Sequence, residues 1–130
     1  MRTICAALLM LTVFTPIESC STVMVDQGPA LNTVALLDRD LANKIIVTST
    51  NARRSPTGTV EAWTMLKNRT QSPLQLEGRV QFYDKSKALL EGPTAWQRIM
   101  LAPSSVATYR EFSTNVMEVG YYYIEIREAR

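Results

Sequence analysis

An all-β fold, an antiparallel sandwich, is what residues 43–130 predict, and three observations predict it. Apolar residues recur with a period of two, turn-forming residues interrupt the chain roughly every ten to fifteen positions, and no long stretch shows helical spacing. With 130 residues, 46% of them hydrophobic, the chain is of one-domain size and has enough apolar material for a single packed core.

The strands follow in order. "KIIVTST" from Lys44 is rich in β-branched residues, and "ARRSPTG", with Pro56 and Gly58, reads as the loop after it. "TVEAWTMLKN" is the next strand and "RTQSP" the next turn. The clearest alternation lies in "PLQLEGRVQFYD", where Leu74, Leu76, Gly78, Val80 and Phe82 point one way and Gln75, Glu77, Arg79, Gln81 and Tyr83 the other. "DKSKALLEGP" turns the chain, "TAWQRIML" is a strand led by Trp96, and Ala102-Pro103 marks a corner before "SSVATYREFS". The last strand, "YYYIEIRE", sets Tyr122, Ile124 and Ile126 against Tyr121, Tyr123, Glu125 and Arg127. Upstream, residues 20–42 form a tether and first element. They break at Gly28-Pro29, then carry Leu31, Val34, Ala35, Leu37 and Leu41 at a spacing that suits a short helix or a first strand plus turn.

The N-terminus predicts export. Arg2 precedes the apolar run "TICAALLMLTVF", which has the length of a signal-peptide core and falls short of the ~20 residues a membrane-crossing helix needs. The tetrapeptide Ile17-Glu18-Ser19-Cys20 resembles the lipobox of bacterial lipoproteins: an aliphatic residue, then a small one, then the cysteine that becomes the new N-terminus. Residues 1–19 are then a signal peptide. The resemblance implies a diacylglycerol on the Cys20 thiol and an acyl chain such as palmitate on its amine. Cysteine arithmetic agrees, because cleavage removes Cys5, the sole other cysteine, and leaves Cys20 without a disulfide partner in its own chain. Three acyl chains exceed what stable anchoring requires, at about 0.8 kcal/mol per buried methylene. Ser21 does not resemble the aspartate that retains lipoproteins at the inner membrane, so the expected address is the periplasmic face of the outer membrane.

Composition narrows the function classes. Formal net charge is +2 and the longest basic run is Arg53-Arg54, so the electrostatic footprint of a nucleic-acid binder is missing. The chain has no histidine, which removes Ser-His and Cys-His dyads and the commonest transition-metal ligand. The methionines are scattered and form no metal-binding cluster. With Cys20 acylated, no nucleophile and base can be paired, so the expectation is a protein that is not an enzyme and carries no cofactor or metal.

The stretch "LKNRTQSPLQLEGRVQFYDKSKALLEG...WQRIMLAPSSVATYREFS", with "DLANKIIV" before it, resembles the core of the YcfL family of bacterial lipoproteins. The resemblance rests on the turn at Asn68-Arg69-Thr70, the strand ending in Phe82, Tyr83 and Asp84, the lone Trp96, and the corner at Pro103. It runs from about Asp40 to the C-terminus and implies an immunoglobulin-like β-sandwich, with no activity attached.

Within that frame, a few residues are candidates for function. Trp63 and Trp96 are stacking candidates for a sugar, although core anchoring is the commoner use of a strand tryptophan. Tyr121 and Tyr123, beside Arg127, are exposed by alternation if Tyr122 is buried, which suits either a protein-contact face or cross-strand aromatic packing. Asn68-Arg69-Thr70 matches a glycosylation sequon and reads better as a turn. Asp38 and Asp40 read as members of a solvated turn. Two functions remain: an accessory interaction subunit of a cell-envelope protein complex, or a binding protein for a glycan such as peptidoglycan or for a lipid.

Overall fold

The computed structural model describes residues 31–115 and 118–130. The expected signal peptide, 1–19, and residues 20–30 of the tether and first element expected over 20–42, Cys20 among them, lie outside the described residues. Among the described residues eight strands and one short helix follow in the order β1 (Thr33–Leu36), α1 (Leu41–Lys44), β2 (Ile45–Arg54), β3 (Val60–Asn68), β4 (Leu74–Asp84), β5 (Leu89–Glu91), β6 (Gln97–Leu101), β7 (Val106–Phe112) and β8 (Val119–Glu128). They form two sheets that pack as a sandwich. In the five-stranded sheet the order is β1-β8-β4, with β5 and β6 both along the far edge of β4, and the three-stranded sheet runs β2-β3-β7.

Alternation makes the sandwich. Leu76, Val80 and Phe82 from β4 and Tyr122, Ile124 and Ile126 from β8 meet Val60, Ala62 and Leu66 from β3 and Tyr109 from β7 in one buried cluster. Each fully buried large aliphatic side chain contributes about 1.5–3 kcal/mol, so this cluster is what holds the sheets together. Gly78 sits in the same inward row of β4, and its missing side chain is what makes room for Tyr109: a Cβ there would lie 2.9 Å from the Tyr109 ring.

Several expectations from sequence need correction. The segment read as a loop from Ala52 is strand as far as Arg54, because Asn51 to Arg54 pair with Trp63 to Val60; the turn is confined to Ser55–Thr59, where Pro56 and Gly58 stand. The strand expected to start with Trp96 starts at Gln97. The stretch after Asp84 is more than a turn, since Leu89–Glu91 pairs with β4. Pro93 cannot donate to the ladder, so β5 and β6 are two pieces of one interrupted lane. Thr94 bridges the break: its N–H donates to the Val80 carbonyl at 2.9 Å and its hydroxyl accepts from the Val80 N–H at 3.0 Å. The first element is a strand plus a four-residue helix, and β1 lies parallel to β8, pairing Thr33 with Tyr123 through Leu36 with Ile126.

Asn68 ends β3 with its side chain fully buried. Its Oδ1 accepts from the Thr70 N–H and hydroxyl, both at 2.8 Å. Its Nδ2 donates toward the carbonyls of Ser72 at 2.7 Å and of Leu101 and Ala102 at 3.2 Å. One amide therefore ties the β3–β4 turn to the corner where the chain crosses from one sheet to the other. A sequon whose amide nitrogen is spent inside the protein is not displayed for glycosylation by the folded chain.

Asp84 organises the turn after β4. Its Oδ1 accepts from the Ser86 N–H at 2.8 Å, the Ser86 hydroxyl at 2.6 Å and the Ala88 N–H at 3.0 Å, while Lys87 takes a left-handed φ of 68°. The Ser86 hydroxyl, then the Ala88 N–H, hold its carboxyl below the usual aspartate range. A carboxylate with a depressed folded-state pKa adds stability above its unfolded pKa and loses that contribution as pH falls through the folded value. Asp84→Asn is thus expected to melt below the unsubstituted protein at neutral pH. The gap should close as pH drops below about 4, which a pH series of thermal melts will read.

Candidate functional site

The sandwich has two outer faces, and they differ. On the five-stranded sheet, β4 and β8 place Glu77 opposite Arg127, Arg79 opposite Glu125, Gln81 opposite Tyr123 and Tyr83 opposite Tyr121. Arg127 pairs with Glu77 at 2.9 Å, Arg98 approaches the same carboxylate at 3.7 Å, and Arg79 pairs with Glu125. Trp96 lies against this lattice, with the guanidinium carbons of Arg127 and Arg79 3.8 Å and 4.4 Å from its ring centroid. Trp96 is thus no core anchor; it is a half-buried cover over an ion-pair network. Beside it the Tyr83 hydroxyl donates to Gln81 Oε1 at 2.9 Å. Burial first, then the neighbouring Tyr123 and Glu125, raises the Tyr83 phenol, and burial with Glu125 raises that of Tyr123. Both therefore stay neutral hydrogen-bonding groups. The structure brings Tyr121, Tyr123, Arg127 and Trp96 onto one face, with Tyr121 paired to Tyr83 across strands and its own ring half-buried. This face is knitted to itself.

The outer face of the three-stranded sheet is the open one. Its rows, read across β2, β3 and β7, are Arg53–Glu61–Phe112, Asn51–Trp63–Arg110, Ser49–Met65–Thr108 and, at the far end, Ile46–Lys67–Val106. Seven large apolar residues are exposed among those described, and four of them, Ile46, Met65, Val106 and Phe112, belong to these rows, which concentrates unburied apolar surface on one side of the molecule. Trp63 is half-buried at their centre. It too lies outside the core, because β3 turns Val60, Ala62, Thr64 and Leu66 inward and Trp63 outward.

Charge on this face is arranged around Glu61. Although it faces outward, its side chain is only 4% exposed, since the Arg53 Nε donates to Oε2 at 2.6 Å and the Arg110 Nη1 to Oε1 at 3.2 Å. Both carboxylate oxygens are occupied. Each guanidinium is more than half exposed and has N–H groups left over, and Arg53 also stands 5.9 Å from the Trp63 ring centroid. Arg53, Glu61, Trp63, Met65, Thr108 and Arg110 line a shallow cleft of about 340 Å³.

A second cleft of about 340 Å³ opens between the sheets, where Asn51–Arg54 of β2 face Val119–Tyr122 of β8. The Arg54 guanidinium spans it, donating to the Gly58 carbonyl at 2.6 Å and the Val119 carbonyl at 2.7 Å, so this residue is a strut between sheets. Among the described residues no group of three or more His, Cys, Asp or Glu side chains is placed to hold a metal ion. No described helix is long and apolar enough to cross a membrane.

No protein-family model matches the chain, and no curated protein matches it either. Solved structures do. The crystal structure of Cj0090 from Campylobacter jejuni aligns with a TM-score of 0.58 at 18% identity, covering 75% of this chain and 99% of that one. A DUF1425 family member from Shewanella sp. pv-4 aligns with a TM-score of 0.58 at 17% identity, covering 66% of this chain and 79% of its own. At these identities the likeness is one of fold.

Sequence reasoning found Trp63 and missed its surroundings. Arg110 and Phe112 escaped notice because "VATYREF" alternates without a polar face: Val106 and Phe112 lie outward while Ala107 and Tyr109 lie inward. The usable signal was that a strand carrying apolar side chains on both faces needs a second surface to cover it.

Proposed function

We propose that the chain is a non-enzymatic, YcfL-like module of a bacterial cell envelope, lipidated at Cys20 on the periplasmic face of the outer membrane. It binds a partner protein through the outer face of its three-stranded sheet. What carries the reading is the gathering of Ile46, Met65, Val106 and Phe112 around Trp63 on one open face, while the opposite face satisfies its own charges. Apolar and aromatic side chains ringed by arginines are the usual composition of a protein-binding surface. The lipobox-like Ile17–Cys20 supports the anchoring half of the reading.

Two measurements test the two halves. Mass spectrometry of the N-terminal peptide from membranes should give Cys20 as first residue with its acyl chains; an unmodified cysteine or an intact leader overturns the address. Phe112→Ser, at 53% exposure, should leave the melting temperature within about 2 °C while dissolving the complex in which the protein migrates on native gels. Co-migration that survives this change removes the face from consideration.

The half-exposed Trp63 indole over a cleft also suits a glycan ring. A change in tryptophan fluorescence on adding peptidoglycan fragments, abolished by Trp63→Leu, supports that alternative; a flat titration ends it.

A further inference from the structure

Resting on the protein-contact reading of the same face, we infer that the partner docks there with an acidic, extended segment whose side chains on one face run carboxylate, apolar, apolar, carboxylate. The face carries three cations, Arg53, Lys67 and Arg110, against one carboxylate, Glu61, whose two oxygens are already taken by the arginines. What it offers a visitor is therefore donor-only: the remaining guanidinium N–H groups on either side of Trp63, and the Lys67 ammonium, which makes no ion pair among the described residues. Holding two guanidiniums on one buried carboxylate fixes their positions in advance, so a docking carboxylate meets donors already in place.

The spacing matches an extended chain. Along β3 the outward residues Glu61, Trp63, Met65 and Lys67 alternate charge, aromatic, thioether and charge at strand spacing. A strand laid over them presents every second side chain to that row. Its carboxylates then meet Arg53 and Arg110 at one end and Lys67 at the other, with apolar side chains on Trp63 and Met65 between them. Among the described residues β2, on one side of the face, pairs with β3 alone, so its other edge is free of them for a segment passing off the sheet. A second copy of this chain would bring the same excess of cations against itself. An anionic membrane is a poorer match, because a membrane-bound element sinks one continuous apolar face about 5–10 Å into the headgroup layer, whereas here the apolar residues lie between cations along the strands.

The test uses the full-length protein in detergent and an eight-residue, end-blocked peptide whose alternate residues are glutamate, valine, valine and glutamate with serine between them, and glutamine and lysine versions of it as controls. The glutamate peptide should bind at least about tenfold more tightly than the glutamine one, weaken as salt rises from about 50 to 300 mM, and leave the lysine peptide unbound. Arg53→Glu with Arg110→Glu strips Glu61 of its partners and is expected to compromise folding, so Lys67→Glu and Arg110→Gln serve as the decisive variants. Each should weaken the glutamate peptide about threefold or more, Lys67→Glu with an unchanged melting temperature and Arg110→Gln with a lower one but a cooperative melt, since Arg53 still holds Glu61. Equal affinity for the glutamate and glutamine peptides, or no binding of either, overturns the inference. So does stronger binding to phosphatidylglycerol vesicles or to a carboxylated saccharide. If Phe112→Ser dissolves the native complex while the peptide series is flat, the contact face stands and the acidic partner falls; the converse pattern separates them the other way.

Discussion

Replacing Asn68 with leucine is expected to remove about 3 kcal/mol of stability, enough to unfold much of a domain of this size at 37 °C. Leucine keeps the branched skeleton of asparagine but is the bulkier side chain, so some overpacking adds to the polar loss. The loss comes from the Thr70 N–H and hydroxyl, which give up their acceptor, and from the three carbonyls that share Nδ2. Some carbonyls keep other donors, since the Ser105 hydroxyl reaches Ala102 at 2.7 Å, which is why the estimate stays near the lower end for a buried network. Asn68→Asp separates the two roles of the amide. It retains an acceptor for Thr70 but turns an oxygen toward the carbonyls of Ser72, Leu101 and Ala102, so it should be no better than leucine. Urea denaturation of the three proteins measures this directly; a loss below about 1 kcal/mol for both variants would mean the corner holds without Asn68.

Gly78→Val is expected to cost about 3 kcal/mol, and Gly78→Ala about 1–2. The added Cβ meets the Tyr109 ring at 2.9 and 3.0 Å and the Ile126 Cδ1 at 3.1 Å. Neither neighbour can retreat, because Tyr109 is 3% and Ile126 0% exposed. Alanine recovers part of the strain through the lower entropy of its unfolded chain. Coupling identifies the cause: in a Tyr109→Leu background, Gly78→Ala should cost clearly less than in the native one. Additive costs would show that the clash is not what matters.

How much of this was legible in the sequence depended on which face a residue needed a partner to define. The alternation of Leu76, Val80 and Phe82 and of Tyr122, Ile124 and Ile126 placed both central strands correctly, because each has one wet face. Turn residues found the corners at Asn68–Pro73 and Pro103. The two tryptophans were harder. Size favours burial, yet Trp63 and Trp96 stand on opposite outer faces, Trp96 because two arginines share its ring and Trp63 because its row neighbours are Asn51 and Arg110. Cross-strand neighbours are set by register, which no local pattern carries. The parallel β1–β8 pair was hidden for the same reason, and the Arg53-Arg54 pair looked like loop because its strand partners, Glu61 and Val60, lie beyond Pro56 and Gly58. The candidate site was half visible: Trp63 by type, its arginine flanks and apolar rim only after folding.

The contact face itself is most directly tested by site-specific photo-crosslinking in living cells, with a photoreactive residue placed at Phe112 and, for comparison, at Met100. Both side chains are exposed, at 53% and 60%, but Met100 belongs to β6 of the other sheet. Phe112 should crosslink to one discrete envelope protein and Met100 to none. Crosslinks to the same protein from Met100 alone, or equal and diffuse adducts from both positions, would contradict it.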